Sequence, residues 1–152
     1  MSENILIVHE NKKARFDYTI VETYEAGLQL MGSEVKSLRN KDVQLKDSYI
    51  SFKGDEAYLQ NAHIAEYKAS SYNNHVPERH RKLLMHRSEL DEIFEALREK
   101  GYSCVPLKIY FKNGRAKLQI ALVKGKKTHD KREAIKKRDV SDQIRSSLRR
   151  SR

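Results

Sequence analysis

Apolar and polar positions alternate between Val105 and Val123 in the pattern of two strands joined by a tight turn. Val105, Leu107, Ile109 and Phe111 alternate with Pro106, Lys108, Tyr110 and Lys112, the period of a half-buried strand. Asn113-Gly114 supplies the two positive φ angles of a type I′ turn. That turn sets Phe111 opposite Ala116, Ile109 opposite Leu118, Leu107 opposite Ile120 and Val105 opposite Leu122, each pair apolar. The other face pairs Tyr110 with Lys117 and Lys108 with Gln119, which suits water or a phosphate backbone.

The same reading gives a second hairpin over Tyr49–Ile64, with Lys53-Gly54-Asp55-Glu56 as its loop. Phe16–Leu30 reads as a long strand with a bulge or bend at Glu25-Ala26-Gly27, where glycine interrupts the run. Two helices are predicted. The first covers 33–39, capped by Ser33, and the second covers 88–100, capped by Ser88 and closed by Gly101. Leu90, Ile93, Phe94 and Leu97 form one apolar stripe on the second. These elements imply a mainly β fold with flanking helices, an antiparallel OB-like barrel over residues 1–123. Apolar positions thin out in 124–152, too few to offset the ordering cost, so this stretch is expected to be a disordered, helix-competent tail.

Charge sharpens that division. The net charge of +10 is unevenly spread. Residues 124–152 carry twelve Lys or Arg and four Asp or Glu, net +8, while 1–123 carry nineteen and seventeen, net +2. A neutral body with a basic tail points to a polyanionic partner. Three clusters add to this: Asn11-Lys12-Lys13-Ala14-Arg15, Arg79-His80-Arg81-Lys82 and Lys124-Gly125-Lys126-Lys127. Exposed Tyr and His beside them favour RNA, whose unpaired bases stack on such rings.

The single cysteine, Cys104, excludes an intramolecular disulfide and reads as core filling. Ile5-Leu6-Ile7-Val8 is too short for a signal peptide or a membrane span, so a cytoplasmic protein is expected, without a membrane partner. The six histidines include no His-x₃-His pair, and no Gly-rich phosphate loop or nucleophile motif occurs. No metal, cofactor, small-molecule substrate or catalytic residue is expected. A metal-independent ribonuclease and a ribosomal or ribosome-assembly protein anchored to rRNA by its tail are the alternatives.

Several segments, in order, resemble the SsrA-binding protein family, also called small protein B. They are Asn11-Lys12-Lys13-Ala14-Arg15, Glu22-Thr23-Tyr24-Glu25-Ala26-Gly27-Leu28, Gly32-Ser33-Glu34-Val35-Lys36-Ser37-Leu38-Arg39 and Lys46-Asp47-Ser48-Tyr49. Arg81-Lys82-Leu83-Leu84, Val105-Pro106-Leu107, Tyr110-Phe111-Lys112, and Lys124-Gly125-Lys126-Lys127 with His129-Asp130-Lys131-Arg132-Glu133 continue the match to about residue 138. Residues 1–10 and 139–152 match no part of the pattern.

The resemblance implies a non-catalytic protein that binds the tRNA-like domain of transfer-messenger RNA and delivers it to stalled ribosomes for trans-translation. The tail would occupy the empty messenger channel near the decoding centre. Asn11, Glu25 and Leu84 match family residues needed for RNA binding. Lys12 and Arg15 belong to the matching basic cluster, and Lys124, Lys126 and Lys127 are expected to contact phosphates. His129, Asp130, Lys131 and Arg132 match the tail motif placed near the decoding centre.

Overall fold

The computed structural model describes residues 4–67 and 74–125. The described elements are β1 (Ile5–Glu10), α1 (Lys12–Asp17), β2 (Tyr18–Leu28), α2 (Gly32–Arg39), β3 (Val43–Gln44) and β4 (Tyr49–Lys53). They continue with β5 (Glu56–Gln60), β6 (His63–Ile64), β7 (Arg81–Leu84), α3 (Arg87–Leu97), β8 (Tyr102–Lys112) and β9 (Arg115–Gly125). Seven strands form one sheet in the order β1-β8-β9-β2-β7-β5-β4, and β3 pairs with β6 beside it. All pairings among the described residues are antiparallel. Strand β4 comes back close to β8, so the sheet curls on itself as the expected barrel requires.

The β8–β9 turn forms as read, with φ of 51° at Asn113 and 83° at Gly114. Phe111 faces Ala116 and Ile109 faces Leu118, but the register then slips by one between Pro106 and Lys108. Pro106 lies opposite Ile120, Val105 opposite Ala121 and Cys104 opposite Leu122. Proline has no N–H to give the ladder, which explains a bulge at this point.

The slip has a structural consequence, because one extra residue exchanges the two faces of a strand. Ile109, Phe111 and Cys104 enter the main core with Leu38, Leu59, Leu83, Ile93, Leu118 and Ile120. Val105 and Leu107 instead join Ala121 and Val123 on the opposite face, beneath Ala14 of α1. One half of the sheet's outer face is therefore covered by α1 and the other half is open.

Several boundaries differ from those expected. No bulge lies at Glu25-Ala26-Gly27, where the β2–β9 register is regular; the register shift of β2 falls between Ile20 and Glu22. Ser33 does not cap α2. Met31 is its N-cap, with Glu34 reaching back to the Met31 amide at 2.8 Å, while the buried Ser33 hydroxyl meets His75 Nδ1 at 2.8 Å. His75 Nε2 donates to the Ile64 carbonyl at 2.8 Å, so the ring carries its proton there and Ser33 is the donor to Nδ1. Helix α3 begins at Arg87 with His86 as cap and ends at Leu97, with Gly101 in the turn beyond. Its stripe packs inward at Leu90 and Ile93, and the more exposed Phe94 meets Phe52 at 5.6 Å between ring centres.

Candidate nucleic-acid interface

The open half of the outer face is assembled by strand alternation. Pairing sets Ile7, Tyr110, Lys117, Gly27 and Leu84 side by side across β1, β8, β9, β2 and β7. Lys112 and Arg115 form the row on one side; Lys108, Gln119 and Glu25 form the row on the other. Residues directly opposite share a face, so these side chains project together. Glu10 of β1, opposite Lys108, extends the row of Gln119 and Glu25, so Lys108, Lys112, Arg115 and Lys117 share the face with the carboxylates of Glu10 and Glu25.

Glu25 is held in place by residues far away in sequence. The Tyr110 hydroxyl donates to Oε2 at 2.5 Å, and Lys112 Nζ lies 3.3 and 3.4 Å from the two oxygens. The Tyr110 hydrogen bond, aided by Lys112 and Lys117, holds the carboxyl below its ordinary range against the opposing effect of partial burial. The group is ionised at neutral pH, and 39% of its side chain is open to solvent. Lys108 Nζ lies over the Tyr110 ring at 5.7 Å.

Leu84 is apolar yet 52% exposed, on the same face as Glu25. Gly27 permits this placement, because a Cβ there would meet Leu84 Cβ at 3.3 Å. The two border a groove of about 370 Å³ that also includes Leu30, Val35, Phe111 and Lys117. An apolar floor beside cations can receive the flat face of a base while the rim takes phosphates.

The remaining expected residues lie apart from this cluster. Lys124 pairs with Thr19 and Tyr102, with Nζ 5.1 Å above the Tyr102 ring. Thr19 is six positions from Glu25 along β2, roughly 20 Å at ~3.3 Å per residue. Lys12 and Arg15 are exposed on α1, which leads directly into that end of β2. The body therefore presents two basic regions, one at each end of β2. Lys126, Lys127, His129, Asp130, Lys131 and Arg132 lie outside the described residues.

Asn11 is only 5% exposed. Its side chain caps α1 by accepting from the Ala14 amide at 3.3 Å, and Nδ2 donates to the Pro106 carbonyl at 3.0 Å. Its own amide donates to the Leu107 carbonyl at 2.7 Å. Asn11 thus pins α1 onto the bulge where the covered half of the face meets the open half. Asn11→Ala is expected to cost about 2–4 kcal/mol, the lost cap plus unpaired buried groups. Asn11→Asp keeps the acceptor for Ala14 but sets a carboxylate oxygen against the Pro106 and Leu45 carbonyls in a buried site, so it should cost at least as much. Denaturant melts measure both, and unchanged melts with lost RNA affinity would assign Asn11 a direct contact instead.

One residue of the Arg79–Lys82 cluster is not a surface cation. Arg81 is fully buried, with Nε 2.7 Å from Glu34 Oε2 and its other nitrogens on the Ala62 and Pro77 carbonyls. Arg79 Nη2 reaches Glu34 Oε1 at 2.6 Å. Strand alternation sends Arg81 and Leu83 inward and leaves Lys82 and Leu84 outside. Cys104 is buried as expected, and burial pushes its thiol up to about 12. Among the described residues no three His, Cys, Asp or Glu cluster as metal ligands.

Tyr110 and Lys112 are the partners that sequence reasoning did not assign to Glu25. The alternation of β8 had already placed them on the polar face. What it lacked was the neighbour relation of β2 to β9, since 85 residues separate Glu25 from Tyr110.

The chain matches the family described as SmpB protein over residues 8–150. It is 99% identical over 152 residues to the SsrA-binding protein of Bdellovibrio bacteriovorus, covering 100% of each. The SsrA-binding protein of Myxococcus xanthus is 50% identical over 146 residues, 96% of this chain and 90% of that relative. A solved chain described as "tmRNA-SmpB: a journey to the center of the bacterial ribosome" is 47% identical with a TM-score of 0.68. That likeness covers 84% of this chain and 93% of the solved one. With a family match across nearly its whole length, a relative identical at almost every position and a curled antiparallel sheet that superposes on a solved relative, the chain belongs to the SmpB protein family.

Proposed function

We propose that this protein binds the tRNA-like domain of transfer-messenger RNA and carries it to stalled ribosomes for trans-translation. The observation that carries the reading is the open sheet face, where four cations and a fixed carboxylate flank an exposed leucine on a chain of this family. Cations steer the RNA and bind phosphates; Glu25 and Leu84 offer contacts that phosphates do not need. The names of the relatives, SsrA-binding protein, and the tmRNA-SmpB solved chain support the same partner. In this reading the protein acts where ribosomes are, in the cytoplasm. Among the described residues no helix is long and apolar enough to cross a membrane.

Lys12, Arg15 and Lys124 form the second basic region, about 20 Å from Glu25 along β2, at the end from which the chain continues into 126–152. Separate regions let one body hold RNA at one end and direct a charged tail toward a second partner. Lys126 and Lys127 extend the phosphate contacts. His129, Asp130, Lys131 and Arg132 act in the decoding site with the rest of the tail in the empty messenger channel. Catalysis of aminoacylation and peptide transfer stays with the partners.

Sequencing the RNA that copurifies with the protein tests this. One short structured RNA of tRNA-like character is expected. Bulk rRNA would indicate an assembly protein, and degraded fragments a nuclease.

A further inference from the structure

Strand β1 ends the seven-stranded sheet, and among the described residues it pairs with β8 alone. Which of its backbone groups face outward follows from the ladder. The Asn113 amide donates to the Asn4 carbonyl at 2.8 Å, so Asn4 turns its backbone groups toward the hairpin. Leu6 lies two residues on and turns the same way, toward Phe111, while Ile5 and Ile7 turn their N–H and C=O groups away from the sheet. Such an edge is a template for another strand, and proteins usually blunt it with a charge, a proline or a bulge. Ile5-Leu6-Ile7 carries none of these, and all three side chains are about half exposed. The bulge of β1 comes only between Ile7 and His9. The far end is tied down, since Asn11 donates to the Leu45 carbonyl at 3.4 Å.

The edge fits an extended, uncharged strand. The chain's own continuation is a poor match, because it leaves from Gly125, at the opposite end of β9 from the Ile5 side, and carries net +8 over 124–152. A second copy of β1 is a good one. Set antiparallel about a two-fold axis at Leu6, Ile5 of each copy lies opposite Ile7 of the other. Their outward groups then exchange both hydrogen bonds of the pair. Leu6 meets its counterpart in the closer, non-hydrogen-bonded pair, so every pair from Ile5 to Ile7 is aliphatic. The interface is isologous, as a closed dimer requires. We propose that β1 is a self-association edge through which two copies of this chain join their sheets. The short run buries less than the roughly 1,200 Å² of a stable interface, so the dimer is a transient one. Each copy also carries a net charge of +10, and salt strengthens the pairing by screening that repulsion.

The test is sedimentation equilibrium of the full chain, freed of nucleic acid, over a range of protein and salt concentrations. A monomer–dimer equilibrium that shifts toward dimer as salt rises is expected. Association bridged by residual RNA would weaken with salt instead, and that outcome overturns the proposal. Ile7→Pro removes an outward N–H from each copy and leaves the β8 ladder its bonds. It should weaken association by about tenfold or more, since two hydrogen bonds are lost per dimer. Leu6→Lys sets two like charges against each other at the axis and should abolish the dimer. Circular dichroism and thermal melting verify the fold of both variants, and the lysine variant decides if the proline disturbs the strand. Hydrogen exchange gives a residue-level readout: the Ile5 and Ile7 amides should exchange more slowly as protein concentration rises. A monomer at every concentration overturns the proposal, as does a dimer indifferent to Leu6→Lys. Slow exchange of both amides in a monomer would overturn it too, by assigning the edge to another segment of the same chain.

Discussion

Replacing Glu34 with Ala is expected to lower the unfolding free energy by about 3–5 kcal/mol, the usual cost of breaking a buried ion pair from one side. Glu34 has no solvent exposure, and Arg81 has none either. Its two oxygens accept from Arg79, Arg81 and the Met31 amide, tying α2 to the segment that becomes β7. Removing the carboxylate leaves the buried Arg81 charge without its ion-pair partner. Arg79→Ala should cost much less, since that side chain is 33% open and Arg81 stays paired.

Acid should expose the same interaction. Burial alone would raise the Glu34 carboxyl, but Arg79, the Met31 amide and Arg81 more than offset it, so its folded pKa lies below the ordinary 4.5. A depressed carboxylate stabilises the fold above its unfolded pKa, and that contribution disappears as pH falls through the lowered value. Thermal melts of the parent should fall as pH drops below about 4.5. Glu34→Gln should start less stable and lose less over the same range. Parent-like melts in Glu34→Ala would mean that the triad contributes little.

Removing residues 129–152 should abolish peptide tagging on stalled ribosomes while leaving binding to isolated transfer-messenger RNA within a few-fold of the parent. The expectation rests on the charge split of +2 against +8 and on the face of Glu25 and Leu84 lying wholly within the body. The deletion keeps Lys124, Lys126 and Lys127. The triple change of Asp130, Lys131 and Arg132 to Ala should reproduce the tagging defect with a smaller loss of RNA affinity, because it removes a net charge of only +1. A tagging assay run beside a binding titration measures both. If the truncated chain loses RNA as fully as a Glu25 variant does, body and tail are not separable.

The parts of the fold legible in the sequence are those set by local rules. Asn113-Gly114 fixed its turn because both residues adopt positive φ readily, and the register held as far as Gln119. It failed at Pro106, where the missing N–H produced a bulge that alternation alone does not reveal. Helix α1 was read only as a basic cluster: six residues are too few for a periodic signal, and its cap, Asn11, has the look of a binding residue. Arg81 was counted with the surface charges because the carboxylate that neutralises it is 47 residues away. The candidate site follows the same division. Its face was visible in the alternation of Lys108, Tyr110 and Lys112, whereas the neighbours of Glu25 came from strand pairing across the chain.

The central claim is that the open face recognises RNA through specific contacts as well as charge, and Glu25 decides it. If attraction were only Coulombic, Glu25→Gln would leave affinity unchanged or raise it, since a negative charge beside a polyanion is removed. Binding of transfer-messenger RNA should instead weaken by about 1–3 kcal/mol, the cost of losing a charge-assisted contact. The slope of log affinity against log salt should stay the same, because the number of neutralised phosphates is unchanged. The measurement is that titration across salt concentrations, with circular dichroism and thermal melting to verify the fold. Weaker binding at constant slope is the predicted result; equal or tighter binding by a folded Glu25→Gln protein would contradict the account.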